Sequence, residues 1–294
     1  MRNNWALVKR HILFLNEHQD LQLVPRSLLD RIEFVIFKGG VIGSDYGRLY
    51  KCNIMTTDDS SDMREFRRRL KTSYALPYLG HLFTIYARPA TYELLNEWLV
   101  YDVTELGALT SRSHFFDPPH VVVFDMDSTL ITEEEEVQIR DPAIYESLEE
   151  LQRKNCVLCL WSYGDRQHVV DSLQKLQLEE YFSLILAEGR KSGEHSTSAS
   201  VDTKYDVFYK NTPFYLNVDY KCLPKSPRVI LWYLQKKGIN FIKTITLVDD
   251  LLDNDYNYDN FVHLRRCPVP INDWHEWHSE IVGFIDSYDY IFAQ

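Results

Sequence analysis

Long apolar stretches are missing from this chain. No run of about 18 uninterrupted apolar residues occurs in its 294 positions, so nothing in the sequence predicts a membrane-spanning helix. The start, Met1-Arg2-Asn3-Asn4-Trp5, lacks the compact apolar stretch and small-residue cleavage site of a secretory leader. Cysteine is scarce: five residues, an odd number spread over a long chain. That excludes a disulfide framework and fits a reducing compartment. No internal repeat is visible. What the chain does have is 45% hydrophobic and 14% aromatic residues, the composition of a globular protein with a substantial core. Its length suffices for one large domain or two smaller ones.

Charge is unevenly spread. Residues 1–117 carry 15 Lys+Arg against 14 Asp+Glu, a net of +1, whereas residues 118–294 carry 17 against 29, a net of −12. The acidic part would attract a basic protein and repel nucleic acid, unless it serves solubility alone. The boundary falls at Phe115-Phe116-Asp117-Pro118-Pro119-His120, because paired prolines disfavour a helix before them and cannot donate to a central ladder. We therefore divide the chain into an N-terminal α+β region, 1–117, and a second domain, 118–294.

In the second domain apolar runs alternate with helical patterns. Strands are predicted at Val121–Phe124, Cys156–Trp161, Ser183–Ala187 and Thr244–Val248. Helices are predicted at Ala143–Lys154, from Gly164-Asp165 to about Leu176, and at Ser226–Lys237. This rhythm predicts an α/β fold with a mainly parallel sheet covered by helices on both faces. The Ser/Thr/Gly-rich stretch Gly189–Thr203 reads as a mobile loop, and Asp206–Asn217 as a short hairpin around Thr212-Pro213. Together they form a small insertion near 188–222. In the first region Trp5–Asn16 and Thr91–Val103 read as helices, Leu82–Ala87 as a strand and Thr57–Asp62 as a polar loop.

Chemistry concentrates in Phe124-Asp125-Met126-Asp127-Ser128-Thr129-Leu130, directly after the first apolar strand. Ligands of open parallel sheets bind outside the carboxyl ends of strands. Two carboxylates one residue apart can divide labour there. Asp125 can attack phosphorus, while Asp127 protonates the leaving oxygen and later deprotonates water. Two close carboxylates need a cation to stay ionised together, which suggests Mg²⁺ with oxygen ligands.

These residues resemble motif I of the haloacid-dehalogenase-like hydrolases, and three further stretches resemble the later motifs in order. Cys156–Trp161 ending in Ser162 is similar to motif II, which implies that the Ser162 hydroxyl holds phosphoryl oxygens. Lys225 resembles the motif III lysine that neutralises the aspartyl-phosphate. Lys221 competes for that role, because Lys221-Cys222-Leu223 resembles the Lys-Asp-Leu of the small C-terminal-domain phosphatases; Lys225 is preferred because it introduces the helix leading into the next strand. Asp249-Asp250-Leu251-Leu252-Asp253-Asn254 resembles motif IV, which implies that Asp250, or else Asp249, completes a metal shell with Asp125 and the backbone carbonyl of Asp127. The second motif I aspartate, Asp127, points to phosphatases rather than dehalogenases or cation pumps. A Rossmann-like fold without a large cap follows from the same likeness, since only about 30 residues separate Asp125 from Ser162.

A closer resemblance runs through Trp161-Ser162-Tyr163-Gly164, Leu223-Pro224-Lys225-Ser226-Pro227-Arg228, Leu247-Val248-Asp249-Asp250 and Asp273-Trp274-His275-Glu276-Trp277-His278. These are similar to the baculoviral thirty-eight-kilodalton nucleocapsid-assembly protein family. The likeness implies a viral protein of the infected host nucleus and the nucleocapsid, with capsid proteins as partners and a phosphorylated basic, protamine-like protein as substrate. A nucleic-acid end phosphatase and a structural capsid-assembly protein are the alternatives, and homo-oligomerisation stays open.

Other features carry less. Cys156 and Cys159 fit a redox or zinc spacing but lie in a strand read as buried. His275, Glu276 and His278 read as part of an amphipathic, Trp-anchored segment. The basic run Arg64–Lys71, with Asp58, Asp59 and Asp62 beside it, reads either as a contact to DNA phosphates or protein, or as a solvated helical face. Glu133–Glu136 reads either as an acidic cleft entrance or as a charged helix start.

Overall fold

Two all-parallel sheets organise the chain. They emerge from a computed structural model that describes residues 10–39, 53–57, 63–86, 100–106, 117–133, 136–188, 200–202, 207–209 and 224–293. The chain divides into two compact units: Met1–Phe116 with Gln235–Ile242, and Asp117–Leu234 with Lys243–Gln294. The short segment 235–242 thus clusters with the first unit.

The first unit contains strands β1 (His11–Leu15), β2 (Ile32–Lys38), β3 (Asn53–Thr57), β4 (Leu82–Thr84) and β5 (Val100–Asp102). They lie in the order β3-β2-β1-β4-β5 and every pairing is parallel. This corrects the expected α+β region: a parallel-only sheet makes it α/β. The error began at β1, which is not the end of a helix over Trp5–Asn16. His-Ile-Leu-Phe-Leu is buried at all five positions, and a continuous apolar run has no period to distinguish strand from helix. Burial on both faces is what parallel strands require. Val100–Asp102 is likewise a strand and not the end of a helix; residues 91–99 lie outside the described residues.

Two helices are described in this unit, α1 (Arg26–Leu29) and α2 (Met63–Ser73). The basic run forms α2, which buries Phe66 and Leu70 in a cluster with Ile12, Phe14, Phe34 and Ile36. Arg68 and Arg69 point to solvent, with Arg68 paired to Glu65 at 2.8 Å one turn away. Asp58, Asp59 and Asp62 lie outside the described residues.

The second unit holds β6 (His120–Phe124), β7 (Cys156–Ser162), β8 (Leu184–Ala187), β11 (Ile245–Asp249) and β12 (Asn260–His263), with β9 (Ser200–Asp202) and β10 (Val207–Tyr209) as a separate antiparallel pair. Val207–Tyr209 pairs with Ser200–Asp202, and the expected turn at Thr212-Pro213 lies outside the described residues. The main sheet runs β12-β11-β6-β7-β8, again all parallel. Leaving aside the hairpin, the order from β8 repeats that of the first unit, third-second-first-fourth-fifth. One topology therefore occurs twice in a chain without a visible sequence repeat.

The described helices of this unit are α3 (Ala143–Arg153), α4 (Arg166–Lys175), α5 (Pro227–Lys236) and α6 (Trp274–Phe292). Ile144, Leu148 and Leu151 of α3, Val169 and Leu173 of α4, and Trp274, Trp277, Ile281 and Ile285 of α6 share one core with Val122, Phe124, Leu158, Leu160 and Val248. Residues of the opposite parity in the strands, Val121, Val123 and Leu247, are also fully buried, so the sheet is dry on both faces. Cys156 and Cys159 are buried free thiols in β7. His278 is taken up by Ser147 at 2.7 Å and Glu150 at 3.0 Å within the packing of α6. No described helix is long and apolar enough to cross a membrane.

Candidate active site

The strand order reverses direction of build-up at the β6–β11 junction, where ligands of open parallel sheets bind beyond the carboxyl ends of the strands. Asp125 follows β6 and stays on the ladder, its N–H donating to Val248 O at 2.9 Å. Asp249 closes β11 and Asp250 follows it. Asp125, Asp249 and Asp250 each offer an oxygen, and the three oxygens lie within 4.8 Å of one another; no other such group occurs among the described residues. The matching position after β1 of the first unit is Asn16, with no such carboxylate cluster.

Lys225 binds this cluster together. Its residue is fully buried between Pro224 and Ser226, immediately before α5, which opens on Pro227 where a missing N–H costs nothing. Nζ donates to Asp125 Oδ1 and, at 2.7 Å, to Asp249 Oδ2. It also lies 5.0 Å from the centre of the Tyr163 ring. Burial disfavours the ammonium, but Asp125 and Asp249 outweigh it and hold Lys225 charged beyond its ordinary range. Burial pushes the Asp125 carboxyl up to about 7; Lys225 opposes this, while Asp249 and Asp250 add to it. Asp250 is also raised, by burial first and then by Asp249. Three carboxylates against one ammonium leave excess negative charge in a place poor in water. Such hard oxygen donors fit a divalent cation such as Mg²⁺. Lys221 lies outside the described residues.

The two motif IV aspartates differ in what remains free. Asp249 is fully buried and its oxygens are engaged by Lys225, by Asn254 Nδ2 at 3.0 Å and by the Leu251 N–H at 2.8 Å. Tyr163 in turn donates to Asn254 Oδ1 at 3.0 Å. Among the described residues, the only ion-pair partner of Asp250 is a distant guanidinium, Arg266, at 3.8 Å from its Oδ2. Among the described residues, the oxygens of Asp249 are thus the more fully engaged of the two.

Asp127 stands outside that trio. Ser162, at the end of β7, donates its hydroxyl to Asp127 Oδ2 at 2.9 Å, and His168 Nε2 lies 2.6 Å from Asp127 Oδ1. The Ser162 hydroxyl is therefore committed to Asp127 here, while Gly164 N–H donates to Ser162 Oγ at 2.9 Å. Sequence reasoning missed His168. The available signal was Asp165, which caps α4 through the N–H groups of Gln167 and His168 and so fixes His168 in a first turn whose side chains lean back toward the strand end.

The loop after β6 is held in an uncommon conformation. Ser128 has φ of 63°, a left-handed value that costs a non-glycine residue energy. Arg140, fully buried, donates to the Ser128 carbonyl at 3.0 Å and to the Arg265 carbonyl at 2.9 Å, while a two-pronged pair with Asp273 at 2.9 Å neutralises it. Glu133 accepts from the Ser128 hydroxyl and pairs with Arg266 at 2.7 Å. Glu136 is 87% exposed and 3.7 Å from Lys175; residues 134 and 135 lie outside the described residues.

Comparison with known sequences places these features in a lineage. The family described as "Protein of unknown function (DUF705)" matches residues 1–293. The chain belongs to this family. Relatives of this DUF705 member include an uncharacterized 41.0 kDa protein of an intergenic region in Cryptophlebia leucotreta granulosis virus, 53% identical over 98% of this chain and 84% of the relative. An uncharacterized 38.0 kDa protein of Autographa californica nuclear polyhedrosis virus is 39% identical over 100% of this chain and 97% of its own length. An uncharacterized 36.0 kDa protein of Orgyia pseudotsugata multicapsid polyhedrosis virus is 38% identical over 98% and 95% respectively. The DUF705 chain described here is accordingly a baculovirus protein, and the match spans both of its units.

Proposed function

We propose that the second unit is a magnesium-dependent phosphatase with the Rossmann-like architecture of the haloacid-dehalogenase-like hydrolases. The observation that carries this reading is Lys225, buried between Asp125 and Asp249 with Asp250 alongside. It joins a nucleophilic carboxylate, a fixed positive charge and hard metal donors at two adjacent strand ends. Mg²⁺, held by Asp125, Asp250 and the Asp127 carbonyl, would draw charge from the phosphoryl oxygens. Asp125 attacks phosphorus as the bond to the ester oxygen breaks, and Asp127 gives that oxygen its proton. Water then attacks phosphorus, loses a proton to Asp127 and releases inorganic phosphate, which returns Asp125 to a free carboxylate. Lys225 offsets the negative charge through both steps.

The substrate we favour is a phosphorylated basic, protamine-like protein, met during nucleocapsid assembly in the host nucleus alongside capsid proteins. Its support is the net of −12 over residues 118–294, which would steer a chain rich in Arg and Lys. Glu136 adds a carboxylate that is 87% exposed, with Lys175 3.7 Å away, and Glu133 is paired with Arg266. Dephosphorylation would raise the substrate's positive charge and tighten its hold on DNA.

The deciding experiment measures Mg²⁺-dependent phosphate release from one phosphoserine in an Arg-rich and in an acidic peptide, and from a 3′-phosphorylated oligonucleotide. The Arg-rich peptide should be cleaved best at low salt, with the advantage shrinking as salt rises, and Asp125→Asn should be inactive. Equal kcat/KM on both peptides would refute the steering. Preference for the oligonucleotide would support an end phosphatase, and a folded chain inactive on all three would favour a structural role.

A further inference from the structure

His168, the partner of Asp127, lies outside every motif read from the sequence. Asp127 does not touch Lys225 and is open to solvent: its side chain is 41% exposed and that of His168 is 37% exposed. A carboxylate in that position would ordinarily sample several rotamers. Here both oxygens are taken. Ser162 Oγ holds Oδ2 at 2.9 Å and His168 Nε2 meets Oδ1 at 2.6 Å. The Ser162 hydroxyl has one proton and a lone pair filled by the Gly164 N–H, so its proton points at Asp127. The Asp165 cap fixes the first turn of α4 from which His168 projects. Gly164 completes the arrangement: a Cβ there would meet His168 Cδ2 at 3.0 Å, Ser162 Oγ at 3.1 Å and Asp127 Oδ2 at 3.5 Å. Ser162 and His168 thus converge on a single carboxyl group from one strand-to-helix turn that Gly164 and Asp165 shape.

We propose that His168 is a positioning residue for Asp127, holding its carboxyl group in the one orientation from which a proton reaches the leaving oxygen. This rests on the phosphatase reading and extends it. The gain from such a hold is concentrated where proton transfer matters. Serine alkoxide is a poor leaving group and needs its proton as the P–O bond breaks; p-nitrophenolate leaves without one. A misplaced acid therefore slows cleavage of phosphoserine and spares p-nitrophenyl phosphate.

The test compares wild type, His168→Ala and His168→Gln on a phosphoserine peptide and on p-nitrophenyl phosphate, with Mg²⁺. We expect His168→Ala to lower kcat on the peptide by about tenfold to a hundredfold with KM little changed, and kcat on p-nitrophenyl phosphate by less than about threefold. Gln can place an amide nitrogen where Nε2 stood, so His168→Gln should recover much of the peptide activity. Equal loss on the two substrates, a change in KM alone, or no rescue by Gln would overturn the positioning role while leaving the phosphatase intact. A wild-type chain inactive on both substrates would overturn the phosphatase reading and, with it, any proton for Asp127 to move.

Discussion

Lys225 and Asp249 are both fully buried, with Nζ 2.7 Å from Oδ2. A buried pair of this kind contributes little net stability relative to an apolar pair, but it is expensive to break from one side. It ties the segment before α5 to the end of β11, and through Asp125 to the end of β6.

Removing the ammonium should leave two buried carboxylates facing each other. Lys225→Met is expected to abolish phosphate release and to lower unfolding stability in chelator by roughly 3–5 kcal/mol. Adding Asp249→Asn to it should cost less than the two single losses combined, since the shared interaction is lost only once. Urea titration of the four proteins checks this, and strict additivity would count against the coupling.

Asp249 and Asp250 should separate in their effects. Asp250→Asn is expected to weaken Mg²⁺ binding by about tenfold or more with little change in melting temperature in chelator. Asp249→Asn should lower that melting temperature, because Lys225, Asn254 and the Leu251 N–H lose their acceptor. Calorimetric titration with Mg²⁺ and melts in chelator give both readouts. Ca²⁺ should bind but suppress turnover, since its larger coordination number draws a nucleophilic carboxylate into ligation.

Arg140 supports the nucleophile's loop from behind. Arg140→Met leaves Asp273 without its cation and the carbonyls of Ser128 and Arg265 without their donor. A loss of about 3–5 kcal/mol is expected, together with a fall in kcat as the Ser128 turn relaxes. Wild-type stability in this variant would remove Arg140 from that role.

The first unit should be acid-sensitive. His11 accepts the His81 N–H at 3.1 Å, and His81 Nε2 lies 3.3 Å from Asn240 Oδ1. Burial lowers His11 from 6.5 to about 3 and His81 from 6.5 to about 4. Both are neutral when folded, so below pH 6.5 the unfolded chain binds more protons. Their contribution is complete above that value and is lost as pH falls toward 4; His81 alone withdraws roughly 3 kcal/mol over that window. Unfolding monitored from pH 7 to 4 should show the decline, and His81→Gln should flatten it.

Much of the second unit was legible because its signals are local. Val121–Phe124, Cys156–Trp161 and Thr244–Val248 are short β-branched or apolar runs bounded by polar residues, and each is a strand within a residue or two of its expected limits. The first unit resisted the same reading. His11–Leu15 is apolar without a period, and the chain around it has no chemistry-bearing motif to fix its register, so a buried parallel strand passed for a helix.

The sequence by itself determined the order of carboxylates along the chain and their places at strand ends, because both depend on neighbouring residues. Only the tertiary structure decided which groups meet. Lys225 lies 100 residues from Asp125, and Arg140 lies 133 from Asp273. Their contacts depend on β11 docking beside β6 and on α6 packing across the sheet. Backbone periodicity reports which face of an element is apolar, but it carries no term for which distant element covers that face. The contacts of Lys225 with Asp125 and Asp249, the different surroundings of Asp249 and Asp250, and the contact of His168 with Asp127 all depend on that packing.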